Sequence, residues 1–277
     1  MKNILILFLA LCSVLYAKDY TRCVSLSPAV TEMICAIGAE DKLIARSRFC
    51  DYPQSVKKLP CAGELGTPYT ETILALKADL IVTDITTPQT DWSILKRAGI
   101  KIVVLKSDSL GDYRRNITAL GEHLGRKAAA ESECRRFYTE LEKLSSGNSP
   151  KPVTALLLLG INPLVSCSRN CFADEVMTCA GIESVTRGFS RKYFVLSTEY
   201  VVQKNPELVI LTGMSGDFRK YLYSIEAWKN LSFIRNNAII DNVPQELLCR
   251  LSPRTPEAVK AIKTAAALLK SEVRSAK

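Results

Sequence analysis

Thr70-Glu71-Thr72-Ile73-Leu74-Ala75-Leu76-Lys77-Ala78-Asp79-Leu80-Ile81-Val82 recurs without a gap as Thr198-Glu199-Tyr200-Val201-Val202-Gln203-Lys204-Asn205-Pro206-Glu207-Leu208-Val209-Ile210. Each copy reads as Thr-Glu, a short helix, an acidic residue and a buried strand. The starts at 70 and 198 stand 128 positions apart, and an internal match of this kind points to two structural units built alike. Helix-to-strand units share such features in general, because carboxylates favour helix N-termini. What lies between the copies adds weight. Leu110 to Leu144 reads as one long helical stretch with a single break at Gly125, and Ala128, Cys134, Phe137, Leu141 and Leu144 form an apolar stripe on its second part.

Outward from the repeat, Arg22 to Ser27 reads as a short buried strand. It runs into a helix that Ser27 caps, Pro28 opens and Gly38 ends. Leu43 to Ser47, Asp79 to Thr83 and Lys101 to Leu105 read as strands, with a helix from Gln89 to Ala98 stopped by Gly99. Beyond the helical stretch the pattern restarts. Strands are expected at Val153 to Leu159, Leu208 to Thr212 and Ala238 to Asp241, and helices near Ala173 to Ala180, from Thr198, and from Pro256 to Ser271. Alternation of this kind builds parallel sheets. The expected fold is α/β: two similar α/β lobes, 18–125 and 151–277, joined by one long helix within 126–150, with a ligand cleft between them. A helical connector resists hinge closure more than a loop does, so a modest change of lobe angle is expected on binding.

Lys2, the apolar run Ile4 to Leu11 and the small Ala17 before Lys18-Asp19 are ordered as a secretory signal peptide, assigned to residues 1–17. The run is short of the roughly 20 apolar residues that span a bilayer. Leu9-Ala10-Leu11-Cys12 loosely resembles a lipoprotein box, but Leu11 stands where a small residue belongs. A soluble, monomeric periplasmic product is expected. The formal net charge is +9, yet the basic residues are scattered and no aromatic-interleaved basic stripe exists, which argues against nucleic acid. Nine cysteines follow residue 17: Cys23, Cys35, Cys50, Cys61, Cys134, Cys167, Cys171, Cys179 and Cys249. In an oxidising compartment some are expected to pair, and an odd number cannot all do so within one chain. Cys167-x3-Cys171 with Cys179 lacks a second half and a nearby His, so no metal site is assigned.

An enzyme needs a matched nucleophile, base or metal set. The single histidine, His123, falls inside a helix, and no Gly-x-Ser-x-Gly elbow, phosphate loop or HExxH occurs. The chain reads as a binding protein, with no catalytic residues and no resident cofactor. A disulfide-stabilised structural envelope protein is the alternative of another class.

Arg22-Cys-Val-Ser-Leu-Ser-Pro-Ala-Val-Thr-Glu32, the Phe49-Cys-Asp-Tyr-Pro53 loop, Glu71 to Leu80, Gly160-Ile-Asn-Pro163, Asn205 to Ile210 and Leu251-Ser-Pro-Arg254 together resemble the helical-backbone periplasmic binding proteins of cobalamin and ferric siderophore ABC importers. The Cys-Asp-Tyr-Pro loop and the Gly-Ile-Asn-Pro strand end are most similar to the cobalamin branch. The resemblance covers almost the whole chain beyond residue 17. It implies capture of cobalamin or a related metal chelate in the cleft and delivery to a membrane permease. A ferric siderophore or haem is the alternative cargo on the same fold.

The resemblance also implies roles. Glu71 and Glu199, one per lobe, match the acidic pair that docks on permease arginines. Single charges far apart on a rigid body fix orientation and steer encounter. Ser27, Pro28, Phe49, Asp51 and Tyr52 match the first-lobe ligand positions, and Tyr193 or Phe194 falls where a second-lobe aromatic is expected. Leu65, Asp84 and Leu247 stand where that branch often carries tryptophan; Trp92 and Trp228 read as packing residues. Arg48, Arg169, Arg191 and Arg250 are expected near the mouth, where guanidinium forks suit an anionic chelate, and Arg250 is included among the ligand residues. A haem would call on Tyr52 or Tyr193 for its iron.

Overall fold

Short apolar runs make the strands of the first lobe, and helices return the chain between them. In the computed structural model, which describes residues 19–85, 87, 90–212 and 218–275, these are β1 (Cys23–Ser25), α1 (Pro28–Ala36), β2 (Leu43–Ser47), β3 (Cys61–Gly63), α2 (Thr70–Ala75), β4 (Leu80–Thr83), α3 (Ser93–Arg97) and β5 (Lys101–Val104). The signal-peptide assignment lies outside the described residues. The five strands form one parallel sheet in the order β3-β2-β1-β4-β5. All four residues of β4 are buried, as in a parallel sheet covered on both faces. The helix expected from Gln89 begins instead at Ser93, where the Asp91 carboxylate accepts from the Ser93 amide at 2.8 Å and its hydroxyl at 3.0 Å.

The helical stretch resolves into α4 (Leu110–His123) and α5 (Lys127–Ser145), broken at Gly125 with φ +61°. Their buried faces meet closely. A Cβ on Gly121 would fall 2.5 Å from that of Ala130, and Tyr113 stacks on Phe137 with centroids 3.7 Å apart. The α5 stripe starts at Ala130, which is buried, and not at the exposed Ala128. Beneath it, Glu133 is 8% exposed and accepts from Tyr113 and from Arg136, which also reaches the Pro253 carbonyl.

The second lobe comprises β6 (Val153–Leu158), β7 (Gly160–Ile161), β8 (Leu164–Cys167), α6 (Phe172–Cys179), β9 (Ile182–Ser184), β10 (Tyr193–Val195), α7 (Thr198–Lys204), β11 (Leu208–Leu211), α8 (Phe218–Ser224), α9 (Ser232–Arg235), β12 (Ile239–Ile240), α10 (Gln245–Cys249) and α11 (Thr255–Ser275). Its main sheet, β12-β11-β6-β9, is parallel. A small antiparallel sheet, β10-β8-β7, lies beside it and is absent from the sequence-based expectation.

The repeat is structural. The helices start at 70 and 198 and the strands at 80 and 208, each pair 128 apart. Lys77 and Asn205 both take the left-handed conformation after their helices, at φ 50° and 41°. Asp79 accepts from the amides of Thr21 and Arg22, both at 3.0 Å, and Glu207 accepts from the Thr154 amide at 2.9 Å. Each acid thus fastens the entry of its lobe's central strand.

The expectation of disulfides is corrected: all nine described cysteines are free thiols. Five are buried, spread over β1, the loop after β2, α5, β8 and the start of α6, where they act as small apolar side chains.

Candidate functional site

Parallel α/β sheets bind ligands beyond the carboxyl ends of their strands, and the first lobe presents such an edge. Ser27 and Pro28 follow β1, Phe49 follows β2, Leu65 follows β3, and Asp84 and Ile85 follow β4. They form one wall of a cleft of about 380 Å³. Gln245, Glu246, Cys249 and Arg250, on or just after α10, form the facing wall. Phe49, Leu65 and Ile85 keep 45%, 38% and 37% of their surface exposed, an unusual outlay of apolar surface at one spot that marks a ligand face.

Ser27 occupies the N-cap position of α1, but its side chain makes no capping bond. Thr31 Oγ1 instead donates to the Ser27 carbonyl at 3.0 Å, and Ser27 lines the cleft with its hydroxyl oxygen buried. Asp84 Oδ2 accepts from Ser107 at 2.8 Å, while its Oδ1 is buried. Among the described residues, no donor or acceptor meets Ser27 Oγ or Asp84 Oδ1.

Arg250 reaches across from the second lobe. It donates to Asp51 Oδ1 at 2.8 Å and to Glu32 Oε1 at 3.3 Å. Arg254 donates to both oxygens of Glu32, each at 2.9 Å, and its guanidinium lies over the Tyr52 ring, 4.0 Å from the centroid. Two carboxylates meet two guanidiniums, so the cluster is formally neutral. Burial alone would raise the Asp51 carboxyl, but the hydrogen bond and charge of Arg250 hold it below the usual range. The same partners push Arg250 up against the opposing effect of burial.

Ser27, Pro28, Phe49 and Arg250 therefore come together, with Asp51 behind Arg250. Tyr52 sits in a neighbouring recess with Glu32, Glu133 and Arg136. Tyr193 is half exposed on β10, and its hydroxyl accepts from Cys171 Sγ at 3.6 Å. Phe194, on the opposite face of the strand, stacks on Phe189 at 4.0 Å. The described cleft includes none of these three aromatics. Of the four arginines expected at the mouth, the cleft takes in Arg250. Arg48 pairs with Glu64 at 2.9 Å, and Arg169 lines a separate recess with Asp108 and Lys192.

Cys171, at the start of α6, is held below the ordinary thiol value by its hydrogen bond from Cys167, against burial and helped by the Ala173 amide and Lys192. The Cys167 thiol is pushed up by the same bond and by burial. Burial also raises Cys249. Among the described residues no group of three or more His, Cys, Asp or Glu is placed to hold a metal, and no helix is long and apolar enough to cross a membrane.

Glu71 and Glu199 are exposed, each the second residue of its helix. Trp228, fully buried, donates to the Thr198 carbonyl at 3.3 Å and braces the start of α7. His123 is half-buried edge-on to Tyr20, and burial lowers its pKa.

Sequence reasoning did not assign Glu32, Arg254, Gln245, Glu246 or Cys249 to the site. Glu32 and Arg254 lie inside quoted motifs, which was the available signal. Gln245, Glu246 and Cys249 offered none, because α10 reaches the cleft only through the packing of the second lobe.

Two α/β lobes facing across a cleft, with α4 and α5 linking their sheets, define a bilobal solute-binding protein. The chain belongs to the periplasmic binding protein family, which matches residues 23–245. It is 30% identical over 268 residues to a vitamin B12-binding protein of Vibrio vulnificus, covering 95% of this chain and 96% of that relative. The solved periplasmic vitamin B12 binding protein of Vibrio cholerae aligns with a TM-score of 0.76 at 24% identity, over 91% of this chain and 98% of that one. A periplasmic haem binding protein of the same organism aligns with a TM-score of 0.80 at 22% identity, over 88% and 98%. The structural likenesses establish the two-lobed fold.

Proposed function

We propose that the chain is the extracytoplasmic solute-binding component of an ABC importer, exported by residues 1–17, that captures cobalamin or a related corrinoid in the cleft and delivers it to the permease. The observation that carries this reading is the match, over almost the full length of both chains, to a relative named for vitamin B12 binding. Phe49, Leu65 and Ile85 supply an apolar face against which a macrocycle packs. A cleft of about 380 Å³ would enclose only part of such a ligand. Glu71 and Glu199 are the proposed permease-docking pair.

The other cargoes fit less well. A ferric carboxylate siderophore would draw on free guanidiniums, yet Arg250 is engaged by Asp51 and Glu32, and Arg48 by Glu64. A haem would need a phenol in the cleft, yet Tyr52 lies under Arg254 and Tyr193 faces Cys171. The test is to mix purified protein with cyanocobalamin, desalt it, and record the visible spectrum and the thermal unfolding midpoint. Retention of about one equivalent is expected, with stabilisation of about 2.7 kcal/mol when free ligand is a hundredfold above Kd. A colourless protein with an unchanged midpoint overturns the reading.

A further inference from the structure

The two unpartnered atoms of the cleft wall have a common chemistry. Ser27 Oγ belongs to a residue 1% exposed. Asp84 Oδ1 is also buried, on a residue of the same wall. Asp84 is fixed by Ser107 through its other oxygen, so Oδ1 cannot readily turn away. A carboxylate oxygen accepts only, and a hydroxyl both accepts and donates. Leaving such atoms buried and unpaired is unfavourable, and no described residue relieves them.

The charge around them points the same way. The facing wall adds Glu246, and the one cation lining the cleft among the described residues, Arg250, is already matched by Asp51 and Glu32. The lining is therefore formally acidic despite the basic chain. A ligand carboxylate placed here would meet two like charges, which is a repulsive selection against it. A neutral N–H donor would complete Asp84 and gain a charge-assisted hydrogen bond.

We propose that Asp84, with Ser27, selects ligands whose rim carries neutral hydrogen-bond donors of the primary amide type and rejects those whose rim carries carboxylates. The proposal rests on the corrinoid reading for its ligand and adds the rule by which that ligand is told from an acidic macrocycle. Sites built to hydrogen-bond a ligand group discriminate strongly against analogues that lack it.

The test compares two matched pairs by titration calorimetry on the purified full-length mature protein. One pair is dicyanocobinamide, with amide side chains, and cobyrinic acid, the same ring with carboxylic acids. The other is haem and its bis-amide, in which both propionates are converted to primary amides. In each pair that binds, the amide form is expected to bind at least about tenfold tighter, and Asp84→Asn to narrow that ratio by about tenfold, since Asn can donate to a carboxylate. Ser27→Ala, a smaller change, is expected to weaken the amide form a few-fold. Unchanged unfolding midpoints confirm that both variants fold. Equal binding of acid and amide forms by wild-type protein, or an unchanged ratio in Asp84→Asn, overturns the proposal. Amide preference in the haem pair with no corrinoid binding would sustain the proposal and remove the corrinoid reading. Binding of neither pair removes both.

Discussion

Arg254 grips Glu32 from the other lobe through two hydrogen bonds of 2.9 Å each, onto a carboxylate that is 3% exposed. The pair is fork-on-fork, the strongest geometry available to these groups. Arg250 adds a third contact to the same carboxylate at 3.3 Å. Removing Glu32 would leave two arginines facing each other in a partly buried site. Glu32→Gln is expected to destabilise the protein by about 3 kcal/mol, read by urea unfolding, and to widen the solution scattering envelope as the lobes part. An unchanged envelope would show that the helical linker alone sets the lobe angle.

The Arg250–Asp51 bridge carries a pH dependence whose sign is fixed. The Asp51 carboxyl titrates below its ordinary 3.8 in the folded protein. Its contribution is therefore fully present above that value and is lost as pH falls through the lower folded value. Asp51 is half exposed, so solvent screening limits the effect to under about 1 kcal/mol. Asp51→Asn is expected to flatten the acid limb of the stability curve and leave stability at neutral pH slightly reduced. An acid limb identical to that of wild type would place its cause elsewhere.

Glu71 and Glu199 can be separated from the cleft by experiment, because both are exposed and neither lines it. Reversing both charges to lysine is expected to abolish uptake in cells while leaving ligand affinity unchanged. Each single reversal should fall between, and raised salt should slow docking of wild type. Loss of ligand affinity in the double variant would refute the docking role.

These residues also show what the sequence makes legible. The repeat could be read because its signals are local: an acid at a helix start, a short helix and a second acid before an apolar run, all within a dozen residues. Glu32 and Arg254 are 222 positions apart, and nothing in either neighbourhood announces the other. The antiparallel sheet was invisible for a different reason. Gly160-Ile161 is too short to show alternation, and β10 needs β8 to define its faces. Tyr193 and Phe194 accordingly read as interchangeable, although adjacent strand residues must point to opposite sides. Asp84 was recognisable as a departure from the tryptophan expected there, but only the fold reveals its unpaired oxygen.

The sulfurs at the start of α6 give a spectroscopic prediction. Cys171 is lowered and Cys167 is raised, each largely through the bond between them, so the pair should release one proton below the ordinary thiol value of 9.0 and hold the other. Ultraviolet thiolate absorbance should rise by one equivalent across that range, and Cys171→Ser should remove the step. Cys167→Ala takes away the donor and should move the step upward, towards the ordinary thiol value of 9.0. A step that survives in Cys171→Ser would assign it to another thiol.

The two left-handed positions of the repeat should respond oppositely to glycine. Lys77 and Asn205 share φ near 50° and 41°, a region that strains residues with a Cβ and suits glycine. The Lys77 contact in the fold runs through its backbone, whose carbonyl accepts from Arg22 at 3.1 Å, and Lys77→Gly keeps it. Relief of strain should then outweigh the added freedom of the unfolded chain, and a gain of up to about 1 kcal/mol is expected. Asn205 tolerates the conformation better, and its side-chain oxygen accepts from the Ser232 amide at 2.8 Å, holding the start of α9. Asn205→Gly loses that bond and is expected to cost about 1 kcal/mol. Thermal unfolding of both variants decides the matter, and changes of the same sign would mean that backbone strain, and not the Ser232 contact, governs both copies.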